Sequence, residues 1–111
     1  DDKKDELCVW AARHKKKLSE HQLWGTGTTG SRIIQATGLP VGLLKSGPLG
    51  GDQQLGAMIA EGRLDVLIFF IDPLSAQPHD VDVKALTRLA TLYDVMCANN
   101  EATANAVLAY L

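Results

Sequence analysis

The sequence predicts an α/β fold, a mainly parallel sheet covered by helices on both faces. Three observations carry that reading. Segments of strand character alternate with segments of helical period along the 111 residues. The run from Val66 to Ile71 is apolar without a break, as a parallel strand shielded on both sides must be. Each cluster of chemically useful residues also follows a strand, which is where open parallel sheets bind ligands.

Taken in order, Lys3 to Ser19 set Leu7, Trp10, Ala11, His14 and Leu18 at helical spacing, with Lys15, Lys16 and Lys17 toward the end where cations suit the dipole. This is a first amphipathic helix, with His14 as a packing residue. Gln22 to Gly25 forms a strand that runs into Gly25-Thr26-Gly27-Thr28-Thr29-Gly30, and a short helix follows from Ser31 to Ala36. A strand, a Gly/Thr loop and a helix in succession present backbone N–H and hydroxyl donors to a phosphate. The loop is neither a Walker A nor a dinucleotide fingerprint, since it lacks the lysine of one and the placed acid of the other.

After the Thr37-Gly38-Leu39-Pro40 turn, Val41 to Leu44 makes a second strand and leads into Ser46-Gly47-Pro48-Leu49-Gly50-Gly51-Asp52-Gln53-Gln54. Glycines there let backbone approach a ligand, and the Asp52 carboxylate arrives as a helix begins. That helix, Gln53 to Glu61, buries Leu55, Met58 and Ile59, and Gly62 ends it. The apolar strand stops at Asp72-Pro73, and the loop to Asp82 holds Pro78, His79 and Asp80. Val83, Leu86, Leu89, Ala90 and Tyr93 mark the next helix. Val95 to Ala98 is the last strand, and Thr103 to Leu111 the closing helix, with Thr103 as its cap.

Composition fits one globular domain over residues 1–111, at 46% hydrophobic and 22% charged. A net charge of -2 argues against a nucleic-acid or anionic-membrane partner. The longest apolar run is too short to span a bilayer, and nothing has the form of a secretion signal, so a cytoplasmic protein is expected. Cys8 and Cys97, without CxxC spacing or nearby His, read as small core residues.

The strand-end clusters combine into one site. The Thr-rich loop and Ser46-Gly47 would hold a phosphate with neutral donors, Lys4 would add a compensating charge, and Asp52, Asp72, His79 and Asp82 would supply acid/base groups. Crowded carboxylates in a low dielectric spread their proton affinities, which allows one to act as a base while another stays charged. Proton abstraction beside a carbonyl is the natural reaction class. Plain structural readings exist for the same residues: His79 and Asp82 as helix-start caps, Asp72 as a turn residue, Asp52 as an N-cap. A single His with scattered carboxylates is no characteristic ligand set, so no metal is expected.

The runs Gly25 to Gly30, Ser46 to Gln54, Phe69-Phe70-Ile71-Asp72-Pro73-Leu74 and Gln77-Pro78-His79-Asp80-Val81-Asp82-Val83-Lys84-Ala85-Leu86 closely resemble the methylglyoxal synthase family. The likeness is collinear over almost the whole chain, and GGDQQ and PH-x-x-D-V-K-A-L are its most specific segments. It implies a three-layer α/β/α, Rossmann-like fold and a carbon–oxygen lyase without metal or cofactor. Such a lyase converts dihydroxyacetone phosphate to methylglyoxal and inorganic phosphate through an enediolate. By position, Asp52 resembles the base, His79 the group that polarises or protonates the substrate oxygens, Asp82 its orienter and Asp72 a second polar contact. Lys4, Thr26, Gly27, Thr28, Thr29, Ser46 and Gly47 correspond to the phosphate cradle.

The family pattern also has His-Asp at the end of a first strand with Lys three residues on, which Asp1 and Lys4 match and which sets Asp1 among the catalytic group. That strand and its His precede this sequence, and a further strand and helix follow Leu111 in the family, so the chain is expected to be part of a slightly longer domain. Gly25 stands where Ala is common, and Asn99 where Thr is usual. Triosephosphate isomerase forms the same enediolate, so phosphate loss is the distinguishing step: the bridging C–O bond must leave the enediolate plane, a torsion for the cradle to hold. The family is homohexameric. The alternative is a non-catalytic effector-binding domain of the same fold, like the one that closes carbamoyl-phosphate synthetase; Asp52, His79 and Asp82 distinguish the two.

Overall fold

Successive residues of the central apolar run face opposite ways, and that alternation divides the molecule into layers. Leu67 and Phe69 pack into a cluster with Ile59, Leu86 and Ala90. Ile68 and Phe70 pack into another with Leu7, Trp10, Ala11, Ala98 and Leu108. A strand's period of two therefore feeds two cores, the arrangement the unbroken apolar run predicts.

The computed structural model describes residues 2–75 and 80–111, so Asp1 and His79 lie outside the described residues. The order is α1 (Asp2–Arg13), α2 (Lys15–Leu18), β1 (Leu23–Thr26), α3 (Gly27–Thr37), β2 (Val41–Leu44), a 3-10 turn (Gly47–Leu49), α4 (Gly51–Ala60), β3 (Val66–Ile68), α5 (Asp80–Leu92), β4 (Met96–Ala98) and α6 (Glu101–Tyr110). The Trp10 cluster joins α1 and α6, with Ile33 of α3 against it. The Ile59 cluster joins α4 and α5. Both described strand pairs are parallel, β1 with β2 and β3 with β4. They form two two-stranded sheets instead of one continuous ladder. The α/β class with parallel strands is thus as the sequence predicts.

The differences from expectation have local causes. The first helix breaks at His14, yet the i to i−4 hydrogen bonds continue across it, from His14 N–H to the Trp10 carbonyl at 3.1 Å and from Leu18 N–H to the His14 carbonyl at 3.0 Å. The His14 ring packs on Trp10 at 5.0 Å between centroids. Helix α3 begins at Gly27 instead of Ser31. Gly25 and Gly30 are the reason: a Cβ on Gly25 would lie 2.6 Å from the Gly30 Cα, so the two backbones touch and the helix starts directly on the strand. At α6 the cap is Asn100, whose Oδ1 accepts from Thr103 N–H at 2.9 Å. Thr103 is therefore inside the first turn, and Asn serves as the cap equally well.

Trp10, 3% exposed, ties α1 to α6 by donating Nε1–H to Asn105 Oδ1 at 2.7 Å. Burial pushes the Cys8 and Cys97 thiols up from their ordinary pKa, and Cys97 Sγ donates to Asn99 Oδ1 at 3.4 Å. Trp10→Phe removes both the donor and part of the packing, and is expected to lower unfolding free energy by about 1–3 kcal/mol in urea titrations. Asp94 is the one described non-glycine residue at positive φ, 58°. Asp94→Gly is expected to raise stability by roughly 0.5–1 kcal/mol in the same titrations, because glycine takes that conformation without a Cβ clash.

Candidate active site

Parallel pairing sets the site's position before any side chain does. Thr26 at the end of β1 lies beside Leu44 at the end of β2, so the chain leaves both strands on one side of the sheet. The two exits then meet. Gly27, at φ +35°, comes so close to Ser46 that a Cβ there would lie 2.6 Å from the Ser46 Cα. The Thr-rich and Ser-Gly turns form a single floor, backbone against backbone.

Over this floor stand the donors of two helix starts. Thr28 and Thr29 lie in the first turn of α3, whose early N–H groups lack intrahelical acceptors. The Thr26 side chain makes no capping hydrogen bond to them. Ser46, half-buried, likewise makes no capping bond to the 3-10 turn. Donors placed in this way suit an anion with several oxygens. Lys4 sits half-buried in the first turn of α1. The Arg32 guanidinium pairs with Asp5 next to it, which ties that turn to α3.

Asp52 is 8% exposed, in the first turn of α4. The turn before it is tight: Gly51 N–H donates to the Ser46 carbonyl at 2.9 Å. A Cβ on Gly51 would fall 1.9 Å from the Lys45 carbonyl oxygen, so only glycine passes. The carboxylate consequently lies on Gly47, with both oxygens 3.1 Å from where a Gly47 Cβ would be. Its negative charge at a helix start is favoured by the dipole. A buried carboxylate thus borders the same Ser46-Gly47 segment that meets Gly27 in the floor between the two turns.

The next two residues fan outward at helical spacing, about 100° apart. Gln53 Nε2 donates to Asp82 Oδ1 at 3.1 Å, which links α4 to the first turn of α5. Gln54 Oε1 accepts Lys45 N–H at 2.8 Å and holds the end of β2 against α4. These two amides had no role in the sequence reading beyond membership of a motif. Their signal was present in it: two adjacent amides in a helix's first turn, directly after a buried acid.

Asp72 is differently occupied. Phe69 and Ile71 extend the pairing with Ala98 and Asn99, after which Asp72 Oδ1 accepts Leu74 N–H at 3.0 Å. This is an Asx turn, the plain reading of Asp before Pro. The described residues therefore bring together Thr26, Gly27, Ser46, Gly47 and Asp52, and connect Asp82 to them through Gln53. Cavities of about 380 and 590 Å³ open beside Leu64 and Asp65 and beside Leu23 and Val41, at the other ends of the strands and away from this group.

A family model described as the MGS-like domain matches residues 6–99. The chain belongs to this family. This MGS-like domain is 62% identical over 105 residues to a methylglyoxal synthase of Agrobacterium fabrum, covering 94% of this chain and 83% of that one. It is 60% identical to a methylglyoxal synthase of Leptospira interrogans, covering 95% of this chain and 71% of that one. Among solved structures it is similar to the crystal structure of methylglyoxal synthase from Elizabethkingia anophelis, with a TM-score of 0.91 and 51% identity over 97% of this chain and 71% of that one.

In an MGS-like domain built this way, Gly47→Ala tests the fit between the floor and the acid. A methyl 3.1 Å from both carboxylate oxygens must displace them. Turnover is expected to fall about 10-fold to 100-fold, with the far-UV circular dichroism spectrum unchanged.

Proposed function

We propose that the chain is a carbon–oxygen lyase that converts dihydroxyacetone phosphate to methylglyoxal and inorganic phosphate. The observation that carries the proposal is the buried Asp52 carboxylate packed on Gly47, within the same turn that forms the floor for an anion. An effector-binding domain of the same fold would need the floor but not the acid.

In this reading the substrate phosphate takes hydrogen bonds from the α3 first turn and from the Ser46-Gly47 segment, with Lys4 balancing its charge. Asp52 removes a proton from the carbon that bears the hydroxyl. The electron pair moves toward the carbonyl oxygen to give an enediolate, which hydrogen bonds from His79 would stabilise. His79 falls outside the described residues and keeps the role that the family likeness implies, as does Asp1. Asp82 orients the acid/base group from the start of α5, and Asp72 contributes a polar contact beside its turn.

The enediolate then expels phosphate. The hydroxyl on the deprotonated carbon loses its proton and becomes the aldehyde carbonyl, the π pair shifts to form a double bond to the phosphate-bearing carbon, and the C–O bond to the phosphoryl group breaks. The resulting enol takes up a proton on its terminal carbon and gives up the one on oxygen to become methylglyoxal. No water is consumed and no electron acceptor is needed, so the substrate's atoms divide completely between the two products. Elimination requires the breaking bond to stand out of the enediolate plane. A cradle of fixed backbone donors holds that torsion at little reorganisation cost.

The same reading includes a homo-oligomer, a hexamer as in the family, and a cytoplasmic location. The exposed apolar side chains Trp24, Leu43 and Leu49 support the assembly, and sedimentation velocity tests it. No helix of the described residues is long and apolar enough to cross a membrane.

Incubation of the full-length protein with dihydroxyacetone phosphate is expected to release methylglyoxal and phosphate in equal amounts. Asp52→Asn is expected to lower kcat by about 10²-fold to 10⁴-fold, the usual contribution of a positioned base. Thr28→Ala and Thr29→Ala should instead raise KM, each by about 10-fold, the equivalent of one lost charge-assisted hydrogen bond. An Asp52→Asn variant with wild-type turnover would remove Asp52 from the base's role.

A further inference from the structure

We propose that Gln53 is a positioning residue: its side-chain amide fixes Asp82 relative to Asp52 and so couples the two acid-bearing helices. The inference rests on the lyase reading above and names a residue which that reading does not use.

Asp52 and Asp82 begin different helices, separated in sequence by the whole of α4, β3 and the segment before α5. Farther along, α4 and α5 are held together by apolar packing, with Ile59 against Leu86 and Ala90. A Cβ on Gly56 would come within 3.1 Å of the Leu89 Cδ1. Apolar contacts of this kind fix the distance between helices but leave the polar end free to shear. At that end, Gln53 Nε2 donates to Asp82 Oδ1 at 3.1 Å and so connects the two first turns.

The chemistry of the link matters as much as its presence. A carboxamide donates to a carboxylate without adding charge, so it restrains Asp82 and leaves the site's charge balance unchanged. A lysine or arginine there would neutralise the acid, and a glutamate would repel it. The Gln53 backbone moves with that of Asp52, because the two are consecutive in the first turn that Gly51 and Gln54 tie to the end of β2. Any motion of Asp82 away from Asp52 must therefore break or drag this bond. A displacement of about 1 Å at a reacting centre is worth up to 100-fold in rate, so the link is read in kcat. The substrate phosphate sits on the other turns, so KM is insulated from it.

The test uses Gln53→Met, close in length but without a donor, and Gln53→Glu, the same length but repulsive, in the full-length protein. Both are expected to lower kcat, Gln53→Met by about 10-fold to 100-fold and Gln53→Glu by more. KM should stay within about threefold, and the melting temperature should be unchanged because the contact is solvent-exposed. A Gln53→Met kcat within about twofold of wild type, or a loss carried by KM or by melting temperature instead of kcat, would overturn the inference. If wild type makes methylglyoxal and Asp52→Asn does not, the lyase reading stands and a failed Gln53 result overturns the Gln53 inference alone. A wild-type protein that makes no methylglyoxal would overturn the lyase reading and this inference with it.

Discussion

One short hydrogen bond sets the geometry of the site. The Gly51 N–H reaches back to the Ser46 carbonyl at 2.9 Å and folds the chain so sharply that position 51 has no room for a Cβ. Because the turn closes there, Gly47 comes to lie under the Asp52 carboxylate, and Ser46 is carried to the point where Gly27 meets it. Each glycine in this chain of contacts exists for a different approach: Gly51 to a carbonyl, Gly47 to a carboxylate, Gly27 to a neighbouring turn. With side chains at these positions the floor and the acid could not share one turn.

The arrangement also explains how a small domain tolerates a buried acid. An isolated carboxylate in a low-dielectric site is unfavourable by several kcal/mol. Asp52 is placed in the first turn of α4, where the helix start offers positive potential that offsets part of that cost.

Much of this was legible in the sequence, for reasons that can be named. The run Val66 to Ile71 identified its strand because a ribbon enclosed on both faces has only one composition available. Asp52 at a helix start has an ordinary reading as a cap, and it stood out through the Gly-Gly-Asp-Gln-Gln run that carries the family likeness. Less legible were features set by backbone contact. The α3 start at Gly27 depends on Gly25 touching Gly30 across the turn, which no helical period records, and propensity alone puts a Gly-Thr-Thr-Gly stretch in a loop. Asn100 and Thr103 are both good caps, and only the direction of the hydrogen bond separates them. The division into two strand pairs is a long-range property, and composition is silent about it. The amides of Gln53 and Gln54 were invisible as linkers because their partners, Asp82 and Lys45, are fixed by tertiary structure.

The double-faced character of the central strand has a consequence for Asp72. In a strand with one wet face, sliding the chain by one residue turns apolar side chains toward water, so solubility itself polices the alignment. Here Leu67, Ile68, Phe69 and Phe70 are all oil-loving, and a slipped chain would bury almost the same surface. Something else must stop the strand at the right place. The Asx turn at Asp72, locked by Leu74 and followed by a proline that cannot continue a ladder, is such a stop. The acid at the strand's tip thereby acts as a ruler, holding every residue upstream of it to the correct side.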